Sequence, residues 1–154
     1  MNHNYFDKGE YEKALKCLKF ISREYYDNQN IIKSDKEYLL NIEIAYIALC
    51  EGSIYRKLSQ FEKSKKYLRK SEEILKIVFK DRDHRNMIFA RLYKSFGKLY
   101  YDMADYLKAS GYYERTKNIY NYLETNFNVG KDGMIYLYKE MGNIAAKMGS
   151  FDDA

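Results

Sequence analysis

The chain has 154 residues, of which 46% are hydrophobic and 17% aromatic, and it contains no proline. That apolar content excludes a disordered chain, and the absence of proline permits long helices almost everywhere. The formal net charge is +5, from 27 basic and 22 acidic side chains. This excess is too small to indicate direct nucleic-acid binding, but it favours acidic partners.

The apolar segments and the cysteines indicate the cellular compartment in which the protein is expected to occur. No apolar run approaches the roughly 20 residues that span a bilayer, and the first ten residues, MNHNYFDKGE, do not form a signal peptide. Cys17 and Cys50 lack metal-ligand spacing and are interpreted as small packing residues within helices. The sequence therefore predicts a soluble cytoplasmic protein with no cofactor and no membrane contact.

Apolar periodicity predicts six helices, in chain order at about 8–27, 34–57, 60–79, 84–103, 106–126 and 133–148. Two capping boxes, Ser34 with Glu37 and Ser59 with Glu62, are predicted to open the second and third helices. Asn128 and Gly130 mark the break before the last helix. The N-cap candidates of the last three helices are Asp83, Asp105 and Asp132.

A repeated pattern runs along the chain. Four similar segments contain an equivalent aromatic residue, and the intervals between these aromatics are 50, 45 and 45 residues; the residues are Tyr11, Phe61, Tyr106 and Phe151. Small residues recur at matching positions, namely Gly52, Gly97 and Gly142 before the aromatic and Ala14, Ser64 and Ala109 after it. A repeat of this length indicates stacked helical hairpins that share a core.

The order of aromatic, glycine and small residues resembles the tetratricopeptide repeat, in the elongated form found in kinesin light chains and bacterial peptide-sensing regulators. The resemblance implies an all-α, right-handed solenoid of helical hairpins. It makes 1–154 a single domain with repeats at approximately 1–33, 34–82, 83–131 and 132–154. The proline that usually ends such a repeat is missing. Because the fourth repeat stops inside its second helix, we expect a region of a longer array, with one poorly covered side on the last helix.

In tetratricopeptide arrays the first helix of each repeat lines a concave groove. The resemblance places twelve residues there, of which seven are basic and none acidic. They are Leu49, Ser53, Arg56 and Lys57, then Arg91, Lys94, Lys98 and Tyr101, then Tyr136, Lys139, Asn143 and Lys147. One interpretation is a basic, tyrosine-containing groove for an acidic peptide or a chain-terminal carboxylate. The other is an ordinary solvated face. Lys139 and Asn143 are also similar to residues of a chaperone-tail carboxylate clamp.

These observations predict a protein–protein interaction scaffold that binds a peptide or partner protein. Two alternatives stay open: the sensing domain of a bacterial peptide-responsive transcriptional or phosphorelay regulator, and a structural module that forms homodimers through its terminal helices. Catalysis is not expected, because no nucleotide-binding or hydrolase motif is present. His84 is interpreted as a solvated turn residue.

Overall fold

The protein is all-α, as predicted. A computed structural model describes residues 8–27, 35–80 and 84–152, in which every regular element is a helix. The helices are α1 (Lys8–Asp27), α2 (Asp35–Lys57), α3 (Phe61–Val78), α4 (Met87–Asp102), α5 (Tyr106–Phe127) and α6 (Lys131–Asp152). They form two compact units, Met1–Lys80 and Asp81–Ala154. The first unit contains α1 to α3 and the second contains α4 to α6; the single domain and its repeat boundaries stay predictions.

The turn that joins α2 to α3 and the turn that joins α4 to α5 have the same backbone geometry. Ser59 and Ala104, 45 residues apart, adopt left-handed φ angles of 57° and 59°. In each turn the next residue donates its backbone N–H at 2.9 Å to the carbonyl five residues earlier; the pairs are Gln60 with Tyr55 and Asp105 with Tyr100. The predicted 45-residue period is therefore present in the turns themselves.

The helix starts agree only in part with the predicted caps. Asp105 caps α5 as predicted, accepting a hydrogen bond from the Lys108 backbone N–H at 3.3 Å. The prediction that Ser59 and Glu62 form a capping box was wrong. The tight turn places Ser59 in a left-handed conformation and makes Gln60 the N-cap of α3. Asp132 lies inside the first turn of α6 and is not its N-cap. Ser34 and Asp83 lie outside the described residues, and the α4 cap is Asn86.

The two hairpins also pack alike. A Cβ atom added to Gly52 would stand 2.8 Å from Cγ of Leu68, and one added to Gly97 would stand 2.6 Å from Cε1 of Tyr113. These approaches are too close for any residue but glycine, which lets the helix backbones come together. A stacked tyrosine pair accompanies each contact: Tyr55 with Tyr67 at 5.2 Å between ring centroids, and Tyr100 with Tyr112 at 5.6 Å.

Hydrogen bonds reinforce the α2–α3 hairpin. The Ser64 Oγ donates to the Gly52 carbonyl and the Ser71 Oγ to the Ala45 carbonyl, both at 2.7 Å and both buried. Each of these bonds satisfies a polar side chain inside the core.

The last helix differs from the prediction at its end. A break was predicted after about residue 148, but α6 continues to Asp152. It packs on α5, and its buried residues are Met134, Leu137 and Ile144. Ile135 and Tyr138 are 71% and 54% exposed, and the poorly covered side of this helix stays a prediction.

Two smaller predictions were wrong. Cys17 is exposed and therefore is not a core residue, whereas Cys50 is half-buried. His84 is half-buried and stacks on the Phe89 ring at 4.6 Å between centroids, so it is not a solvated residue. The exposure of Cys17 depends on which side of α1 packs, and that of His84 on how the residues before α4 contact Phe89; short sequence motifs specify neither.

Candidate peptide-binding face of the second unit

Three basic residues of α4 lie on one face of that helix. Arg91, Lys94 and Lys98 follow each other at intervals of three and four residues, which place side chains next to one another on a helix. Tyr136 of α6 lies opposite them. The Nζ atoms of Lys98 and Lys94 are 4.9 and 5.7 Å from the centroid of its ring. We call Arg91, Lys94, Lys98 and Tyr136 the basic–tyrosine cluster.

Helix α5 holds the two sides of this cluster together. On one side α4 packs on α5 at the Gly97–Tyr113 contact. On the other side α6 approaches α5 where a Cβ added to Gly133 would stand 2.9 Å from Cζ of Tyr120. Since Tyr136 follows Gly133 by three residues, the α5–α6 contact determines where the tyrosine lies.

The cluster is electropositive and partly desolvated. Lys94 is half-buried, and this burial lowers its pKa; the neighbouring positive charge of Arg91 lowers it further, while Glu140 acts in the opposite direction. Burial raises the pKa of Tyr120, and Arg91 opposes that rise. A lysine ammonium in partly desolvated surroundings gains from an anionic ligand, because charge-assisted hydrogen bonds strengthen as water is excluded.

Glu140 is a residue of this face that the sequence analysis missed. It lies on α6 one turn after Tyr136 and is half-buried. It was overlooked because the groove positions were transferred by repeat spacing, which does not include it. Its carboxylate partly compensates Lys94, so the face is not purely basic as predicted.

The other predicted residues of the second unit lie around the cluster. Tyr101 is half-buried and contacts Tyr106 edge-on, with ring centroids 5.5 Å apart, at the α4–α5 turn. Lys139, Asn143 and Lys147 are exposed on α6, at intervals that place them along the same side as Tyr136. They extend the exposed polar surface of α6.

Residues 8–27 and 35–80 of the first unit contain no equivalent of the cluster. Leu49 was predicted to face the groove, but it is only 6% exposed and belongs to the core, because its side chain is apolar. Ser53 and Arg56 are half-buried and Lys57 is exposed. In the first unit only α2 carries predicted groove residues, so no two such helices face each other within it.

Some cation–π contacts occur at equivalent positions of both hairpins, whereas those of the cluster do not. Lys63 lies over the Tyr55 ring at 5.5 Å, and Lys108, 45 residues later, lies over the Tyr100 ring at 5.3 Å. These contacts recur with the repeat and belong to the hairpin. The cluster does not recur, because the positions 45 residues before Lys94 and Lys98 hold leucine and serine. The hairpin therefore forms without these two lysines.

The first unit contains a buried carboxylate that the sequence analysis also missed. Glu51 of α2 is 3% exposed. Burial raises the pKa of its carboxyl group, against the opposing influence of Lys70 and then Lys19. Lys19 of α1 also lies over the Tyr55 ring at 5.8 Å. This group of polar side chains joins α1, α2 and α3, and the equivalent of Glu51 in the second unit is the fully buried Phe96.

No helix in the described part of the chain is long and apolar enough to cross a membrane. Within residues 8–27, 35–80 and 84–152, no group of histidine, cysteine, aspartate or glutamate residues has the arrangement of a metal site. Comparison with protein-family models, curated proteins and solved structures finds no match to this chain.

Proposed function

We propose that the chain is a protein–protein interaction module of tetratricopeptide type, and that the basic–tyrosine cluster binds an acidic segment of a partner protein. The two hairpins have the same turn geometry and the same close contact at a glycine, and both features support a repeat of this type. A right-handed solenoid is part of the proposal, since that is how such hairpins stack.

The observation that carries the proposal is the pair of lysines at the Tyr136 ring. Lys94 is half-buried beside the positive charge of Arg91, which Glu140 compensates only in part. The first unit forms the same hairpin with Leu49 and Ser53 at these positions. This arrangement favours an anionic ligand, because a carboxylate would offset the cost of holding the Lys94 ammonium partly out of water.

The chemistry of the cluster specifies the ligand. Two ammonium groups provide donors for carboxylates, and Tyr136, which is 42% exposed, offers apolar contact area to the intervening atoms. A glutamate- or aspartate-rich segment in an extended or helical conformation meets both requirements.

The proposal is tested by fluorescence anisotropy with two labelled peptides that are identical except that every glutamate in one is glutamine in the other. We expect the glutamate peptide to bind at least about tenfold more tightly, a difference of roughly 1.4 kcal/mol. Its affinity should fall as salt is added, because exposed charges are screened. Equal affinity for the two peptides would reject the proposal.

The affinity measured in the same assay should depend on pH. The lowered pKa of Lys94 means that this ammonium loses its proton at a lower pH than an ordinary lysine does. We therefore expect binding of the glutamate peptide to weaken as the pH rises, beginning below the range where exposed lysines titrate. A Lys94→Arg variant, whose side chain stays protonated, should move this weakening to higher pH.

A further inference from the structure

The two helices beside the basic–tyrosine cluster present opposite charges to it. Helix α4 supplies three cations, Arg91, Lys94 and Lys98. Helix α6 supplies Tyr136 and, one turn later, the half-buried carboxylate of Glu140. The negative charge of Glu140 acts on Lys94 and opposes the fall of its pKa. A ligand that covers the Tyr136 ring therefore meets ammonium groups on one side and a carboxylate on the other.

The spacing of the two lysines matches that of side chains along an extended chain. Lys94 and Lys98 are four residues apart, which is about 6 Å along a helix. On one side of an extended chain, side chains recur every second residue, at intervals of about 6.6 Å. Two acidic residues with one residue between them therefore have the spacing needed to reach both ammonium groups.

The short distances at the Tyr136 ring favour an extended ligand over a helical one. The Nζ atoms of Lys94 and Lys98 lie 5.7 and 4.9 Å from the centroid of this ring. A helix with its side chains is about 10–12 Å across, so a helical ligand would have to push the lysines and the ring apart. In an extended ligand, successive side chains point to opposite sides. The residue between two acidic residues then points away from α4 and towards Glu140.

We propose that the ligand is an extended segment of a partner protein in which two acidic residues flank a basic one. The acidic side chains bind Lys94 and Lys98, and the lysine or arginine between them binds Glu140. The methylene groups of that basic side chain pack on the Tyr136 ring, which is 42% exposed. Glu140 determines specificity, because it repels an acidic residue at the middle position and attracts a basic one. This inference rests on the proposed function, since it concerns the same site.

Fluorescence anisotropy with four labelled peptides of equal length tests this ligand. Three have a glycine–serine background and differ only in their central residues, which are Glu-Lys-Glu, Glu-Gln-Glu or Gln-Gln-Gln. The fourth is a helix-forming alanine peptide with two glutamates four residues apart. We expect the full wild-type chain to bind Glu-Lys-Glu at least about threefold more tightly than Glu-Gln-Glu, although Glu-Lys-Glu carries less negative charge. The helical peptide should bind more weakly than Glu-Lys-Glu.

A Glu140→Gln variant supplies the matched control. It should bind Glu-Gln-Glu at least as tightly as the wild-type chain does, which shows that the site is intact, and it should no longer prefer Glu-Lys-Glu. The proposal is overturned if the wild-type chain binds Glu-Gln-Glu or the helical peptide as tightly as Glu-Lys-Glu, or if the variant keeps the preference for Glu-Lys-Glu. If neither glutamate-containing extended peptide binds more tightly than Gln-Gln-Gln, the proposed function itself fails, and this inference fails with it.

Discussion

Reversing the charge of Lys94 and Lys98 together should abolish binding of an acidic peptide. A hydrogen bond to a charged group contributes about 1.5–3 kcal/mol, and reversal adds repulsion, so we expect the Lys94→Glu/Lys98→Glu variant to bind at least about 100-fold more weakly. The measurement is the anisotropy titration with the glutamate peptide. Thermal unfolding followed by circular dichroism checks that the variant is folded.

The matched control carries the same change in net charge at three exposed sites of the second unit, Asn118 and Asn121 of α5 and Lys131 of α6. Lys131 lies in the first turn of α6, where a glutamate interacts favourably with the helix dipole. The Asn118→Glu/Asn121→Glu/Lys131→Glu variant should keep an affinity within about threefold of wild type, because distant exposed charges are screened. If both variants lose binding equally, overall charge rather than the cluster determines the affinity.

Replacing Gly97 with alanine should destabilise the second unit. The new Cβ would stand 2.6 Å from the ring of Tyr113, which is fully buried and cannot move aside easily. Overpacking of this kind costs about 1–3 kcal/mol of unfolding free energy, and urea denaturation measures it.

Gly111 provides the control for this substitution. It lies within α5, it is exposed, and a Cβ added to it would meet nothing within 4 Å. A Gly111→Ala variant should be more stable than wild type by up to about 1 kcal/mol, because alanine is the better helix former. If Gly97→Ala raises the unfolding free energy, as Gly111→Ala is expected to, the close contact at Gly97 does not exist in solution.

Much of the fold could be predicted because the determining signals are local. The repeat interval located both turns, and the absence of proline together with apolar periodicity gave six helices whose limits differ most from the structure at the start of α4 and at the end of α6. The cap of α3 could not be predicted in the same way. Ser59 and Glu62 have the spacing of a capping box, but the two helices are joined so tightly that Ser59 must end α2. Tertiary structure here overrides a local preference.

The candidate site, like the fold, could be predicted from the sequence only in part. The spacing of Arg91, Lys94 and Lys98 places them on one helix face, which sequence alone establishes. Their approach to Tyr136 depends on how α6 packs on α5, and the spacing of residues along the sequence does not specify that packing. For the same reason Glu140 was missed. Leu49 was misplaced because the groove positions were transferred from a repeat pattern without regard to its apolar side chain.

The most direct test is a titration of the isotopically labelled chain with the glutamate peptide, followed by nuclear magnetic resonance. The account predicts that the largest shift changes occur at Lys94, Lys98 and Tyr136, with neighbouring exposed positions of α6 affected less. Amides of the exposed α5 surface around Lys108 and Glu114 should stay unchanged. Changes concentrated on that surface, or spread evenly over the chain, would contradict the assignment of the basic–tyrosine cluster as the binding site.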